Sequence, residues 1–148
     1  MSEHTILLVE DDKNDVFFFQ RAMAKAGLTC ALRIARDGRE AIDYLSGAGM
    51  FADRVQFPLP CMVLLDLNLP HQHGLEVLQW IRAHAPDAAV PVIVLTSSTS
   101  DRDVREAYRL GANSYLNKPS GSDDLLALVR ALDGYWFRHN RLAPPHVE

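Results

Sequence analysis

Five short apolar runs, each followed by a stretch with helical spacing, limit most strongly what this chain can fold into. Ile6–Val9, Met62–Leu65 and Val92–Leu95 are continuously apolar, and Ser114–Leu116 is a weaker version of the same pattern. Cys30–Ala35 instead alternates, with Leu32 and Ile34 on one side and Arg33 opposite. Continuous runs suit parallel strands covered on both faces, whereas alternation suits an edge strand. Helical stretches lie between them: Val16–Ala26 closed by Gly27, Arg39–Leu45 after Asp37-Gly38, and Leu75–His84 between Gly74 and Pro86. Arg102–Leu110 comes after Ser100-Asp101, which is good helix-capping chemistry, and stops at Gly111; Asp123–Phe137 completes the set. Strand-then-helix repeated five times predicts a parallel α/β sheet with helices on both faces.

The 148 residues fit one domain, with an expected core over residues 5–137 and a polar tail over 138–148 that is expected to be partly loose. Residues 47–60, with two Gly, two Pro and two Phe, are longer than an ordinary helix-to-strand loop. Fifteen basic and nineteen acidic side chains leave a formal charge of −4, which gives no electrostatic reason to expect nucleic-acid binding. The apolar runs are far shorter than a membrane span, so no membrane association is expected. The N-terminus lacks a basic region followed by a long hydrophobic segment, so a signal peptide is not expected either. Cys30 and Cys61 fall in apolar surroundings without metal-ligand spacing and read as reduced, buried thiols. Cytoplasmic location is the resulting expectation.

The polar residues at the ends of these apolar runs carry the chemistry. The first run ends in Glu10-Asp11-Asp12, the third in Asp66, the fourth in Thr96-Ser97 and the last in Asn117-Lys118-Pro119. In an open α/β sheet, ligands bind beyond the carboxyl ends of the strands, so these groups are expected to share one crevice. Two carboxylates about 4 Å apart repel by roughly 4 kcal/mol at an effective dielectric near 20, so such a cluster calls for a hard cation. An all-oxygen site with few carboxylates suits Mg²⁺, which also neutralises charge on a transferring phosphoryl group. Lys118 adds positive charge opposite, and the Thr96 hydroxyl is able to donate to a phosphoryl oxygen.

In this order, the motifs Ile6-Leu7-Leu8-Val9-Glu10-Asp11-Asp12, Leu64-Leu65-Asp66-Leu67-Asn68-Leu69-Pro70, Val94-Leu95-Thr96-Ser97 and Tyr115-Leu116-Asn117-Lys118-Pro119 resemble the CheY-like response-regulator receiver family, from about Thr5 to Phe137. The resemblance implies a flavodoxin-like doubly wound (βα)5 fold with strand order 2-1-3-4-5. It implies that Asp66 accepts a phosphoryl group from a histidine kinase, and that Mg²⁺ is held by Asp11, Asp66, the Asn68 backbone carbonyl and, through water, Glu10. Thr96 and Lys118 would bind the phosphoryl group, Tyr115 would act as the aromatic switch, and the Lys118–Pro119 bond is expected to be cis. Asp12 is expected to add charge or start the first helix. Ser120 departs from the Phe or Val that many receivers place after Lys-Pro.

The long 47–60 segment, the phrase Gly111-Ala112-Asn113-Ser114-Tyr115 and the aromatic Gly134-Tyr135-Trp136-Phe137 ending resemble stand-alone regulators paired with bacterial phytochromes. That likeness implies a sensor histidine kinase as donor, with a bacteriophytochrome as one form of it. The last helix carries Leu125, Leu126, Leu128, Val129, Leu132 and an aromatic ending, more than one stripe needs. A homodimer through this helix and its neighbouring strand is expected, against the alternative of a wide core face. No effector domain is expected after Phe137.

Other chemistries fit less well. A phosphohydrolase of the haloacid-dehalogenase type would place a second Asp where Asn68 stands, so turnover of outside phosphoesters is not expected. A phosphate-independent binding module leaves the acidic cluster without a purpose, and the acidic first turn would repel a flavin phosphate. His71 and His73 lack a third soft ligand nearby. Gly47-Ala48-Gly49 comes after a helix rather than a strand, and Lys118 has no preceding glycine loop.

Overall fold

A computed structural model describes residues 4–143. Strand β1 (Thr5–Val9) leads into helix α1 (Lys13–Ala26), β2 (Ala31–Ala35) into α2 (Gly38–Ser46), and β3 (Met62–Leu65) into α3 (Gly74–His84). Then β4 (Val92–Thr96) precedes α4 (Asp101–Arg109), and β5 (Ser114–Asn117) precedes α5 (Ser122–Leu132). The strands form one parallel sheet in the order β2-β1-β3-β4-β5. This is the doubly wound flavodoxin-like arrangement expected from the strand–helix alternation and the family resemblance.

Alternation of side chains across the sheet explains the continuous apolar runs. Leu7, Val9, Val63, Leu65, Val92 and Val94 pack under α2, α3 and α4, while Ile6, Leu8, Met62, Leu64, Ile93 and Leu95 pack under α1 and α5. Central strands therefore have no polar face. The edge strand β2 is only partly buried, as its alternating sequence required.

Helix α1 begins three residues before its apolar spacing starts. Asp12 is the N-cap, accepting from Asn14 N (2.8 Å) and Asp15 N (3.2 Å), and Gly27 closes the helix at φ 75°. The polar first turn carries no hydrophobic signal, so periodicity alone does not reveal it. Helix α3 is capped by His73, whose Nδ1 accepts from Leu75 N at 3.1 Å, and His71 takes a left-handed φ of 67°. Both histidines therefore serve the β3–α3 turn.

Residues 47–60 form an ordered cover. A 3-10 turn (Gly49–Ala52) brings Phe51 against Tyr44 and Phe57, with ring centroids 5.1–6.0 Å apart. Arg54 donates to the carbonyls of Tyr44 and Leu45 at 2.8 Å each, satisfying acceptors that the end of α2 leaves open. The expected final helix divides in two: α5 stops at Leu132 and a wider π turn (Asp133–His139) carries the aromatics. Trp136 and Phe137 pack against the α1–α5 core, so part of the surplus apolar face belongs to this fold itself. The tail expectation extends to residues 144–148, which lie outside the described residues. Cys30 and Cys61 are half-buried and form no disulfide, and burial first, then neighbouring Cys30, pushes the Cys61 thiol up to about 11.

Gly74 fixes where α3 starts behind the crevice. Its N–H donates to the Leu67 carbonyl (2.9 Å), and a Cβ there would collide with the Asp66 carbonyl and the Leu67 backbone. Neither neighbour is able to swing aside, because both are main chain. Gly74→Ala is expected to cost about 1–3 kcal/mol, the range for forced overpacking, measured by urea denaturation.

Candidate functional site

The topological switch point lies where β1 and β3 diverge to opposite sides, and the crevice opens beyond their carboxyl ends. Glu10 comes directly after β1, Asp66 after β3 and Lys118 after β5, while Thr96 ends β4. Glu10 and Asp66 are each 4 % exposed and Thr96 is fully buried, an unusual depth for such groups. Oxygens of Glu10, Asp11 and Asp66 lie within 4.8 Å of one another. The sequence-based expectation that these strand ends converge therefore holds in the geometry.

Lys118 ties the cluster together. Its Nζ stands 2.6 Å from Glu10 Oε1, 2.8 Å from Asp15 Oδ2 and 2.9 Å from Asp66 Oδ2. Burial pulls the ammonium pKa down, but hydrogen bonds to the three carboxylates outweigh it and hold the pKa above its ordinary value. Lys118 therefore stays charged.

The two buried carboxyls respond in opposite directions. Burial would raise Asp66, yet the hydrogen bond and charge of Lys118, the Asn68 N–H (3.2 Å to Oδ1) and the Thr96 hydroxyl hold it below the usual range. Glu10 has Lys118 and the Asp12 N–H (3.2 Å) as donors, so burial and the Asp66 charge prevail and push it up to about 7. Asp66 is thus kept as the anion, the form a nucleophile needs. The donor set also fits a divalent cation: hard carboxylate oxygens, one of them on the exposed Asp11, with excess negative charge around a single ammonium.

Beyond Thr96, the β4–α4 loop converges on Ser98. The Ser98 carbonyl accepts from Tyr115 Oη (3.0 Å) and from Asn117 Nδ2 (2.6 Å), and its hydroxyl donates to Asp103 Oδ2 (2.6 Å) on α4. The Ser98 N–H donates to Thr96 Oγ1 at 3.4 Å. Tyr115 is half-buried against the core under α2, α3 and α4.

One expectation is overturned. No cis peptide bond occurs among the described residues, so the Lys118–Pro119 bond is trans. Trans is the lower-energy isomer by about 0.5–1 kcal/mol, and Lys118 reaches all three carboxylates without the change. Sequence reasoning misses two contributors. Asp15 reads in sequence as an ordinary first-turn acid, and its reach to Lys118 emerges only once α1 is known to start at Lys13. Asn117 looks like a strand-end residue, and nothing local shows that its amide crosses to the neighbouring loop.

The geometry defines a doubly wound α/β protein with a lysine-bridged acidic crevice at its switch point. Residues 6–130 match the response regulator receiver domain family, and the chain belongs to that family. It is 43 % identical over 143 residues to the probable methanogenesis regulatory protein FilR2 of Methanothrix harundinacea, covering 95 % of this chain and 88 % of that one. The response regulator Rcp1 of a Synechocystis species is 37 % identical over 131 residues, covering 88 % and 87 %. A crystal structure of Rcp1 in its Mn²⁺-bound form superposes with a TM-score of 0.85, covering 95 % of this chain and 99 % of that one. The crystal structure of the phosphorylated cyanobacterial phytochrome response regulator RcpA gives a TM-score of 0.89 at 33 % identity, covering 97 % and 100 %. The chain thus resembles phytochrome-linked response regulators in both sequence and fold. No helix among the described residues is long and apolar enough to cross a membrane.

The Glu10 shift sets a pH dependence for the metal-free protein. The folded carboxyl titrates near 7 against an ordinary 4.5, so the folded state binds the extra proton between these values. The stability it contributes is full below about pH 4.5 and lost as pH rises through about 7. Thermal melts in a chelator are expected to show this decline, and Glu10→Gln to flatten it.

Proposed function

We propose that this chain is a phosphorylation switch in which Asp66 takes a phosphoryl group from the phosphohistidine of a sensor histidine kinase. The observation that carries this reading is the Asp66 carboxylate itself. It is buried, held ionised, 2.9 Å from Lys118 and within reach of two further acids. An Asp66 oxygen bonds to phosphorus while the phosphorus–nitrogen bond to the histidine breaks, and the leaving electron pair stays with the imidazole. A Mg²⁺ ion held here would supply charge neutralisation on the transferring group. Asp11, Asp66 and the Asn68 carbonyl would hold it directly, with Glu10 acting through water. Lys118 and the Thr96 hydroxyl hold the phosphoryl oxygens, and Tyr115 moves with Thr96 as the switch.

The Mn²⁺-bound form of Rcp1 and the phosphorylated form of RcpA support the cation and the adduct respectively. The phytochrome link of RcpA supports a bacteriophytochrome as the kinase. Beside the crevice, α1 exposes Phe17 (56 %) and Phe18 (48 %), an apolar surface suited to a partner helix. The chain works in the cytoplasm as one receiver domain, and it turns over no substrate besides its own phosphoryl group. The Asn68 N–H donates to Asp66, but no side-chain acid stands there to protonate an outside leaving group. Incubation with acetyl phosphate and Mg²⁺ is expected to add one phosphoryl group by intact mass. Asp66→Asn is expected to abolish it, and an unmodified wild type would overturn the reading.

The second partner is another copy of this chain, meeting through α5 and β5. The partly exposed β5 edge supports this, as do half-buried Leu126 and exposed Tyr135 on the α5 side. Sedimentation at tens of micromolar is expected to show a dimer, with Tyr135→Asp shifting it to monomer; a monomeric wild type with and without beryllofluoride removes the idea.

A further inference from the structure

The geometry points to Asp15 as a positioning residue that holds Lys118 when a divalent cation occupies the acidic cluster. The inference rests on the proposed reading of the crevice. An ammonium has three N–H donors, and in this site each has a carboxylate acceptor: Glu10, Asp15 and Asp66. These acceptors are not equivalent. Glu10 and Asp66 belong, with Asp11, to the group whose oxygens converge within 4.8 Å, whereas Asp15 stands outside it on the first turn of α1.

A cation on the cluster competes with Lys118 in two ways. It draws on the same Glu10 and Asp66 oxygens, and its charge repels the ammonium. Of the three acceptors, Asp15 alone remains uncommitted. Its carboxylate is 41 % exposed, and its backbone N–H is held by the Asp12 cap at 3.2 Å, which fixes the turn it projects from. Lys118 is therefore able to yield the cluster oxygens without leaving the crevice, and it stays poised beside Asp66 for an arriving phosphoryl group. Asp15 acts through Lys118 and touches no reacting atom.

Removing Asp15 leaves Lys118 with only the cation's own ligands as partners, so cation entry becomes harder. Mg²⁺ binding to the full chain, measured by titration calorimetry, separates this role from a general charge effect through a double-mutant cycle. Asp15→Asn is expected to weaken Mg²⁺ binding about five-fold or more in the native background, but less than about two-fold when Lys118→Gln is also present. Asp15→Glu is expected to recover most of the loss, because it restores an anionic acceptor for the ammonium. An equal loss in both backgrounds overturns the inference, since that is what distant charge alone produces; so does an Asp15→Asn protein that binds Mg²⁺ like wild type. Circular dichroism melts on each variant confirm that the comparison is between folded proteins. A wild type that binds no Mg²⁺ overturns the underlying reading of the crevice, a result distinct from either of these.

Discussion

Everything at the working end of this molecule depends on one ammonium among carboxylates. Parallel strands deliver their carboxyl ends to one side of the sheet, and here three of those ends carry Glu10, Asp66 and Lys118. Without Lys118, Glu10 and Asp66 would face each other nearly dry, at a Coulomb cost of several kcal/mol. With it, the cost falls unevenly. Asp66 collects the Asn68 N–H and the Thr96 hydroxyl as well as Lys118, while Glu10 collects only one backbone donor besides the lysine. The extra proton near neutrality therefore belongs to Glu10, and Asp66 stays ionised. Two similar acids acquire different chemistry from the number of donors each one meets.

Sequence is most legible where burial is symmetrical. Central strands covered on both faces leave unbroken apolar runs, so β1, β3 and β4 stand out in sequence almost to the residue. The polar residues just beyond them are equally visible, because any charge placed directly after such a run must sit at the sheet's carboxyl end. Glu10 and Asp66 need no more than that, whereas Lys118 comes after the weaker run of the edge strand β5. Legibility fails where a residue's role depends on a direction set elsewhere. Asp15 is hydrophilic on a helix start, which is unremarkable until the Asp12 cap fixes the first turn and turns that carboxylate toward Lys118. The trans Lys118–Pro119 bond is a balance of less than a kilocalorie or so between isomers, too fine for residue identity to decide. Residues 47–60 read as an overlong loop because their order comes from Arg54 binding the end of α2, a contact between separate segments.

Ser98 shows how a local event in the crevice acquires reach. Its N–H leans on the Thr96 hydroxyl, its carbonyl receives both Tyr115 and Asn117, and its own hydroxyl binds Asp103 at the start of α4. One residue thus joins β4, β5 and α4 through four polar contacts. Thr96 is fully buried, so its hydroxyl has few alternative partners besides Asp66 and the Ser98 N–H. A group on Asp66 that draws this hydroxyl inward must loosen or drag the Ser98 backbone. Because the Ser98 carbonyl anchors two β5 side chains, that shift reaches beyond the loop: Tyr115 and Asn117 move with it or give up this contact, Asn117 keeping the Thr96 carbonyl at 3.3 Å. A part-buried polar network that exchanges one set of partners for another favours discrete arrangements over a continuum. For the proposed switch, this wiring would place the responsive element at the β4–α4–β5 surface, in the hydrogen bonds of Ser98 as well as in the tyrosine ring.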